Sequence, residues 1–240
     1  TALALSDLAL IHTALAQHQL SVPLHERALK IMESTVGPDD AKTAIVLRDM
    51  ATTLGAMAQH QQALENNQRA LVIFENKSGP EHVDTASSLN NLAKTYIELG
   101  QHSKALPLQK KALAIAEKTL GFEHPATAVC LVNLAYTFVA LGEPDKAMPM
   151  RLRALEIAEK IYGPEHPDTA RVLTHLADSY IRLAVYDKAV QLQERILVIF
   201  EKSVGPDHPL TGQALSNLSL TYSYLSDYKK ALSLQLRSLA

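Results

Sequence analysis

The sequence predicts an all-α fold in which pairs of helices stack on one another as a solenoid. The first observation is a fixed period, because glycines recur every 42 residues, at Gly37, Gly79, Gly121, Gly163 and Gly205. The second is that each period holds two stripes of apolar residues at helical spacing. The third is a junction that ends one helix with glycine and often starts the next with proline. Since such units bury their faces only on neighbours, they must stack.

Five full units and a shortened sixth follow from this period. They form one predicted array over residues 1–240, with units 1–42, 43–84, 85–126, 127–168, 169–210 and a partial 211–240. Threonines keep the same spacing, at Thr1, Thr43, Thr85, Thr127, Thr169 and Thr211. Because the array starts and stops at arbitrary points of the repeat, we expect it to be part of a longer protein with further repeats on both sides.

Residues 85–126 illustrate one unit. A first stripe predicts helix A over roughly 83–99, with Leu89, Leu92, Ala93, Tyr96 and Leu99 facing the core. A short turn follows at 100–102, and a second stripe predicts helix B over roughly 103–119, ended by Gly121. Small residues recur in both helices, which lets the helices approach closely. One helix A column is large and apolar throughout, with Leu8, Met50, Leu92, Leu134, Leu176 and Leu218.

The composition argues against several classes of function. With 23 basic and 25 acidic residues the net charge is −2, so no basic footprint for nucleic acid is expected. The single cysteine, Cys130, favours a reducing compartment, which we expect to be the cytoplasm. No apolar run approaches the ~18 residues typical of a membrane span. Phosphate-binding, metal-ligating and nucleophile motifs are missing from the sequence, so we predict no enzyme, no cofactor and no metal site.

The repeat resembles a known family. Leu92-Ala93-x-x-Tyr96, Gly100, Ala105 and Ala112 are similar to the tetratricopeptide pattern of leucine, small residue, aromatic residue, glycine and two alanines. The longer unit, with Leu-Gly-x-x-His-Pro-x-Thr-Ala at its junctions, resembles the kinesin-light-chain type of this repeat. The resemblance implies a right-handed α-solenoid whose helix A elements line a concave groove that holds a peptide of a partner protein.

Within that groove, an asparagine column is expected to grip a peptide backbone. Its members are Asp7, Asp49, Asn91, Asn133, His175 and Asn217, and the resemblance carries this role over to the three asparagines. One amide side chain offers both a hydrogen-bond donor and an acceptor, which suits a peptide group. The alternative is that these asparagines only bond neighbouring helices.

The helix A of residues 127–142 carries no charged residue and adds an apolar stripe of Val129, Val132, Tyr136 and Val139. It predicts either a hydrophobic pocket anchored by Tyr136 or a helix buried on all sides. Basic residues on both sides favour a peptide in which acidic residues flank an apolar centre. The candidate peptide-binding residues are Asn90, Asn91, Lys94, Val129, Val132, Asn133, Tyr136, Arg171, His175, Arg182 and Asn217.

Two further columns are ambiguous. The histidines His82, His124, His166 and His208 imitate a metal ladder, but one histidine per repeat cannot converge on one ion, so we predict a packing role at the helix start. A basic column at Arg27, Arg69, Lys111, Arg153, Arg195 and Arg237 is followed six residues later by Glu33, Glu75, Glu117, Glu159 and Glu201. These charges either form a ladder between repeats or face solvent.

Our principal hypothesis is a non-catalytic scaffold that binds a peptide in the groove. The alternatives are a structural spacer that self-associates end to end, or a regulatory repeat array of a larger multidomain protein. The apolar first helix, whose only charge is Asp7, favours end-to-end stacking, since a terminal cap would be polar.

Overall fold

The computed structural model describes residues 2–239; Thr1 of the threonine column and Ala240 lie outside this range. Over these residues the chain forms twelve helices and no strand. They are α1 (Ala2–Ala14), α2 (His18–Thr35), α3 (Ala41–Ala56), α4 (His60–Lys77), α5 (Val83–Glu98), α6 (His102–Thr119), α7 (Pro125–Ala140), α8 (Pro144–Tyr162), α9 (Pro167–Arg182), α10 (Tyr186–Ser203), α11 (Pro209–Tyr224) and α12 (Tyr228–Ser238).

The chain divides into two compact units, which we call the N-terminal unit (Thr1–Phe122, α1–α6) and the C-terminal unit (Glu123–Ala240, α7–α12). Within each unit, an odd-numbered helix A pairs with the even-numbered helix B that follows it. Helix B then packs on the next helix A, as α4 does on α5 and α10 on α11. The predicted all-α architecture of stacked helix pairs is confirmed, whereas a single array over all 240 residues stays a prediction.

The helix limits follow the apolar pattern closely. The predicted spans 83–99 and 103–119 correspond to α5 and α6, and Ala93, Ala105 and Ala112 are fully buried where the two helices cross. In the C-terminal unit, a core cluster joins the last two repeats through buried residues such as Leu173, Phe200 and Leu215, and the partly buried Leu155 of the preceding repeat packs against it. Burial of alanine at the crossings explains why small residues recur there, since a larger side chain would push the helices apart.

The junction between repeats is held by three side-chain and backbone devices. The glycine after helix B has a φ between 94° and 104° in all five repeats, a region that favours glycine. The threonine six residues later donates its hydroxyl proton to that glycine's carbonyl, as Thr85 does to Gly79 at 2.7 Å. Where proline follows histidine, it is the first residue of α7, α9 and α11 as predicted.

One predicted core position is wrong in α1. Leu8 belongs to the apolar helix A column, yet it is 41% exposed, while Leu92, Leu134 and Leu218 are buried. Leu92 on α5 and Leu218 on α11 lie on helices that pack against a preceding helix B, α4 and α10, whereas no helix precedes α1 among residues 2–239. The helix itself is as predicted, and the difference lies in what packs against it.

Candidate functional site

A groove of about 780 Å³ opens in the C-terminal unit. Its walls are α9 and α11, the helix A elements of two successive repeats, and its floor contains buried residues of α10, including Gln193, Ile196 and Phe200. Arg151 from α8 and Tyr136 from α7 complete the lining. Both walls are helix A elements, and helix A is the part of the repeat on which the family resemblance predicts a ligand to bind.

The structure brings together some of the candidate residues. Five of them line this groove: Tyr136, Arg171, His175, Arg182 and Asn217. Val129, Val132 and Asn133 lie on the same helix as Tyr136 but outside the lining, and Asn90, Asn91 and Lys94 lie on α5 in the N-terminal unit. Five of the predicted peptide-binding residues therefore share one defined cavity, the groove of the C-terminal unit.

The outer stripe of α7 is exposed at two of its four residues, which bears on the two interpretations of this uncharged helix. Val129 is 54% and Tyr136 49% exposed, while Val132 and Val139 are half-buried. The expectation that packing buries the helix on all sides is wrong for Val129 and Tyr136. Exposed apolar and aromatic side chains on one helix face are typical of a contact surface.

Arg151 is the most unusual residue of the groove. Its side chain is only 2% exposed, and its Nη1 donates hydrogen bonds to the carbonyl of His175 and, at 2.5 Å, to Ser179 Oγ. Asp178 Oδ2 lies 3.5 Å from the same nitrogen. Burial lowers the pKa of Arg151, and the nearby Asp178 acts in the opposite direction. The guanidinium therefore ties α8 to α9 beneath the groove.

The rim of the groove carries positive charge on α9. Arg182 Nε donates to the Asp178 carboxylate at 3.0 Å, so Arg151 and Arg182 share one acidic partner. Arg171 is more exposed and lies 3.7 Å from Asp168. Desolvation, followed by the positive charge of Arg151, lowers the pKa of His175, although this residue keeps exposed surface. The rim can thus attract an acidic group.

Two residues of the asparagine column have side-chain amides without a hydrogen-bond partner in the described range. The side-chain amides of Asn91 and Asn217 make no hydrogen bond with any residue in the range 2–239, and both residues are half-buried. At the position where the sequence has His175, the backbone carbonyl accepts from Arg151. For Asn91 and Asn217, the alternative of bonding to neighbouring helices does not hold in this structure.

Sequence reasoning missed a buried polar column on helix B. Its members are His25, Asn67, Gln109, Arg151 and Gln193, each 42 residues from the next and each at most 5% exposed. Several bond the next helix A, as Asn67 Nδ2 does to Thr95 Oγ1 at 3.0 Å. A polar residue recurring between two alanine columns, such as Gln109 between Ala105 and Ala112, is the signal that could have revealed it.

The histidine column has a defined role. In each case Nδ1 accepts the backbone N–H two residues later at 3.1–3.2 Å, as His124 does from Ala126. The ring thus acts as a helix N-cap, satisfying a donor that the first turn leaves unpaired. No cluster of three metal-ligating side chains occurs within the described part of the chain.

The charged column forms a ladder between repeats, one of the two alternatives left by the sequence. In the C-terminal unit Arg195 donates to Glu159 at 2.6 Å and to the carbonyl of Pro164 at 2.7 Å. In the N-terminal unit Arg69 and Lys111 bond the glutamates 36 residues earlier. These partners lie on successive helix B elements, so the ladder links repeats, and neither Arg195 nor Glu159 lines the groove. Cys130 is buried in α7.

No helix among residues 2–239 has the length and apolar character needed to cross a membrane. A sequence profile of the tetratricopeptide repeat matches residues 1–76, 50–118, 84–151, 141–195 and 173–240. Comparison with curated proteins finds no match.

Solved structures provide the remaining comparisons. A protein from Podosopora anserina, whose nearly identical TPR-like repeats are assigned to a kinesin light chain, is 26% identical with a TM-score of 0.70 over 84% of this chain and 95% of that one. BtubC (BKLC) from P. vanneervenii is 22% identical with a TM-score of 0.74, covering 93% and 87%. YrrB, a TPR protein with an unusual peptide-binding site, is 20% identical with a TM-score of 0.51, covering 88% and 89%.

The last two similarities are evidence of the fold, while the profile extends over every repeat from the first to the last. The 42-residue unit and its His-Pro junctions, together with the match to the repeats of a kinesin light chain, indicate the type of repeat as well as the fold. The chain belongs to the tetratricopeptide-repeat family, and its repeats are of the kinesin-light-chain-like type.

Proposed function

We propose that this chain is a non-catalytic protein–protein interaction scaffold that binds a peptide segment of a partner in the groove between α9 and α11. Tetratricopeptide repeats generally mediate protein–protein interaction, and YrrB is described by its peptide-binding site. The observation that carries the proposal is a groove that combines a basic rim with exposed apolar walls. A polypeptide can offer charged groups to the rim and apolar groups to the walls, so it suits this groove better than a small ligand of a single chemical character.

The distribution of charge favours a ligand with both acidic and apolar residues. Arg171 and Arg182 lie along α9, whereas α11 has no charged residue and exposes Leu220 and Tyr224. An acidic side chain of the ligand would pair with α9 while a neighbouring apolar side chain packs on α11 or against Tyr136. Electrostatic pairing at a rim of this kind mainly sets specificity and the association rate.

The asparagines provide the second part of the proposal. Asn217 on α11 and Asn133 on α7 would hold the backbone of the ligand, and Val129 and Val132 would add apolar contact beside Tyr136. In the N-terminal unit, Asn90, Asn91 and Lys94 on α5 offer a further contact surface for a peptide. Asn91 supports this role because its amide has no partner among residues 2–239.

The test is selection of peptides from a random display library on the purified chain, followed by titration of the enriched peptides. We expect enriched sequences that pair acidic with apolar residues. Replacement of Asn133 and Tyr136 by alanine should weaken their binding roughly tenfold or more, since an exposed aromatic anchor is lost. Tyr228→Ala, an exposed tyrosine of α12 outside the groove, serves as the matched control and should bind normally.

Enrichment that survives the double substitution would overturn the groove proposal. It would favour the second candidate, a spacer or assembly element that works through other surfaces. That candidate is supported by exposed apolar residues along α12, among them Leu232 and Leu236. A regulatory array within a larger protein is a third candidate. In that case the peptides selected by the groove should resemble a segment of the domain that the array regulates.

A further inference from the structure

Gln193 lies at the floor of the groove on α10 and is only 5% exposed. Its Nε2 donates a hydrogen bond to the backbone carbonyl of Asn217 on α11 at 3.3 Å. Its Oε1 has no hydrogen-bond partner among residues 2–239. A buried amide oxygen without a donor costs about 1–3 kcal/mol, so this atom is a candidate contact for a ligand that enters the groove.

The orientation of this amide is set by its surroundings. If the amide were rotated by half a turn, Oε1 would face the Asn217 carbonyl and two acceptors would meet. The hydrogen bond to Asn217 therefore fixes the nitrogen towards α11 and leaves the oxygen as the open atom. A ligand group at this position must donate a proton.

The charges of the groove restrict which donor is suitable. Arg151, Arg171 and Arg182 line the same groove, and Asp178 is the one carboxylate among the lining residues, already paired with Arg151 and Arg182. A lysine or arginine of the ligand would therefore meet a net positive charge. A carboxylate accepts hydrogen bonds but has no proton to donate to Oε1. The remaining class is a neutral group that carries an N–H or O–H.

Asn217 narrows the class further. Its half-buried side-chain amide lies on the residue that Gln193 already contacts, and it has no partner within the described range. Its Nδ2 can donate to the carbonyl oxygen of a ligand side chain while Gln193 Oε1 accepts from the adjacent N–H, and its Oδ1 stays available to the ligand backbone. A carboxamide presents an N–H and a carbonyl oxygen side by side, one for each partner. A hydroxyl has a single oxygen atom, which would have to donate to Gln193 Oε1 and accept from Asn217 at the same time.

We infer that Gln193 and Asn217 form a carboxamide-recognising subsite that takes an asparagine or glutamine side chain of the bound peptide. The subsite rests on the proposed peptide-binding function and adds a neutral, sequence-specific contact from helix B to the contacts of helix A. It makes Gln193 a specificity-determining residue of the groove.

The equivalent positions of the N-terminal unit show that this arrangement depends on residue type. Asn67 on α4 repeats it, because Nδ2 donates to Thr95 Oγ1 and Oδ1 has no partner in the described chain. His25 on α2 does not, because both ring nitrogens have partners, Ser6 and Thr53. The open acceptor is thus a property of carboxamide side chains at this column and not of every repeat.

The experiment compares peptide selections on three forms of the full chain: wild type, Gln193→Met and Gln109→Met. Methionine keeps the length and burial of glutamine and removes both polar atoms. Gln109 is the matched control, since it holds the equivalent buried position in the N-terminal unit but lies outside the groove. It also lacks the anchoring bond of Gln193, because neither of its amide atoms has a partner among residues 2–239. Circular dichroism of the three forms confirms that each is folded before selection.

We expect peptides selected on the wild type and on Gln109→Met to share asparagine or glutamine at one fixed position, and those selected on Gln193→Met to lose that preference. For one selected peptide, Gln193→Met should raise Kd roughly tenfold, and so should replacing its conserved glutamine by methionine. The two changes combined should cost little more than either alone, because they remove the same contact.

Peptides that depend on Asn133 and Tyr136 but show no asparagine or glutamine preference would overturn the subsite and leave the proposed function intact. The same conclusion follows if the preference persists in Gln193→Met. Failure to select any groove-dependent peptide would reject the proposed function, and the subsite with it.

Discussion

His25 lies fully buried between α1 and α3, with Nδ1 3.2 Å from Ser6 Oγ and Nε2 2.9 Å from Thr53 Oγ1. Burial lowers the pKa of His25 to about 4 from its usual 6.5. As the pH falls below 6.5, the unfolded chain binds a proton at this residue before the folded chain can. The stability that comes from keeping His25 neutral is therefore complete above pH 6.5 and is lost as the pH falls towards 4.

We predict that the free energy of unfolding decreases by about 2 kcal/mol between pH 7 and pH 5 through His25 alone. Urea denaturation followed by circular dichroism at the two pH values measures this change. The control is His25→Asn, which installs the residue found at the equivalent Asn67 and does not titrate. Burial raises the pKa of the nearby Asp49 carboxyl, so its protonation as the pH falls stabilises the folded chain and opposes this trend. An unchanged pH dependence in His25→Asn would contradict the prediction.

The junction residues show what could be predicted at the residue scale. Period and spacing argued against a metal ladder for the histidine column and predicted a role at the helix start for His166. They could not identify the N-cap, because that depends on the extended backbone at His166, with φ −85° and ψ 145°, which aims Nδ1 at the Asp168 N–H. Thr169 was aligned by its period, but its bond to the Gly163 carbonyl emerged only from the structure.

At the scale of the helices, the apolar pattern predicted α5 and α6 to within one residue at each end. Burial of helix A against helix B decides these spans, and both faces are visible in the sequence. The lysines that sit over aromatic rings, such as Lys104 over Tyr96 at 5.5 Å, were missed because the two residues belong to different helices. The groove lining was predicted only in part for the same reason, since Arg151 and Gln193 reach it from helix B.

Arg151 provides a prediction for the contact between α8 and α9. Arg151→Ala should destabilise the fold by about 3 kcal/mol, since it leaves a cavity and removes the partners of the His175 carbonyl and Ser179 Oγ. Arg151→Gln, with the residue found at Gln193, should cost less. Hydrogen exchange measured by mass spectrometry should accelerate in α9 of the alanine variant.

The matched control is Arg171→Ala, because Arg171 is an exposed arginine on α9 itself. It should leave both stability and exchange almost unchanged, as expected of a surface ion pair. Equal effects of Arg151→Ala and Arg171→Ala would show that the buried guanidinium does not hold the two helices together.

At the scale of the whole molecule, repeat stacking leaves two apolar helix faces uncovered among the described residues. Val190 and Leu197 on α10 are buried beneath α11, while Leu232, at the position equivalent to Val190 on α12, is 62% exposed. On α1, Leu8 and Ile11 are exposed in the same way. Inside each unit, faces of this kind join helix B to the next helix A, so they are complementary by construction.

We predict that these faces allow copies of the chain to stack end to end. Light scattering after size-exclusion chromatography should show a mass that rises with concentration into the millimolar range, because burial of exposed leucines stabilises the contact. Substituting Leu232 and Leu236 by glutamate should keep the chain monomeric. Leu152→Glu, an exposed leucine on α8, is the control and should associate like the wild type. A strict monomer at millimolar concentration would reject stacking and leave the groove as the principal interaction surface.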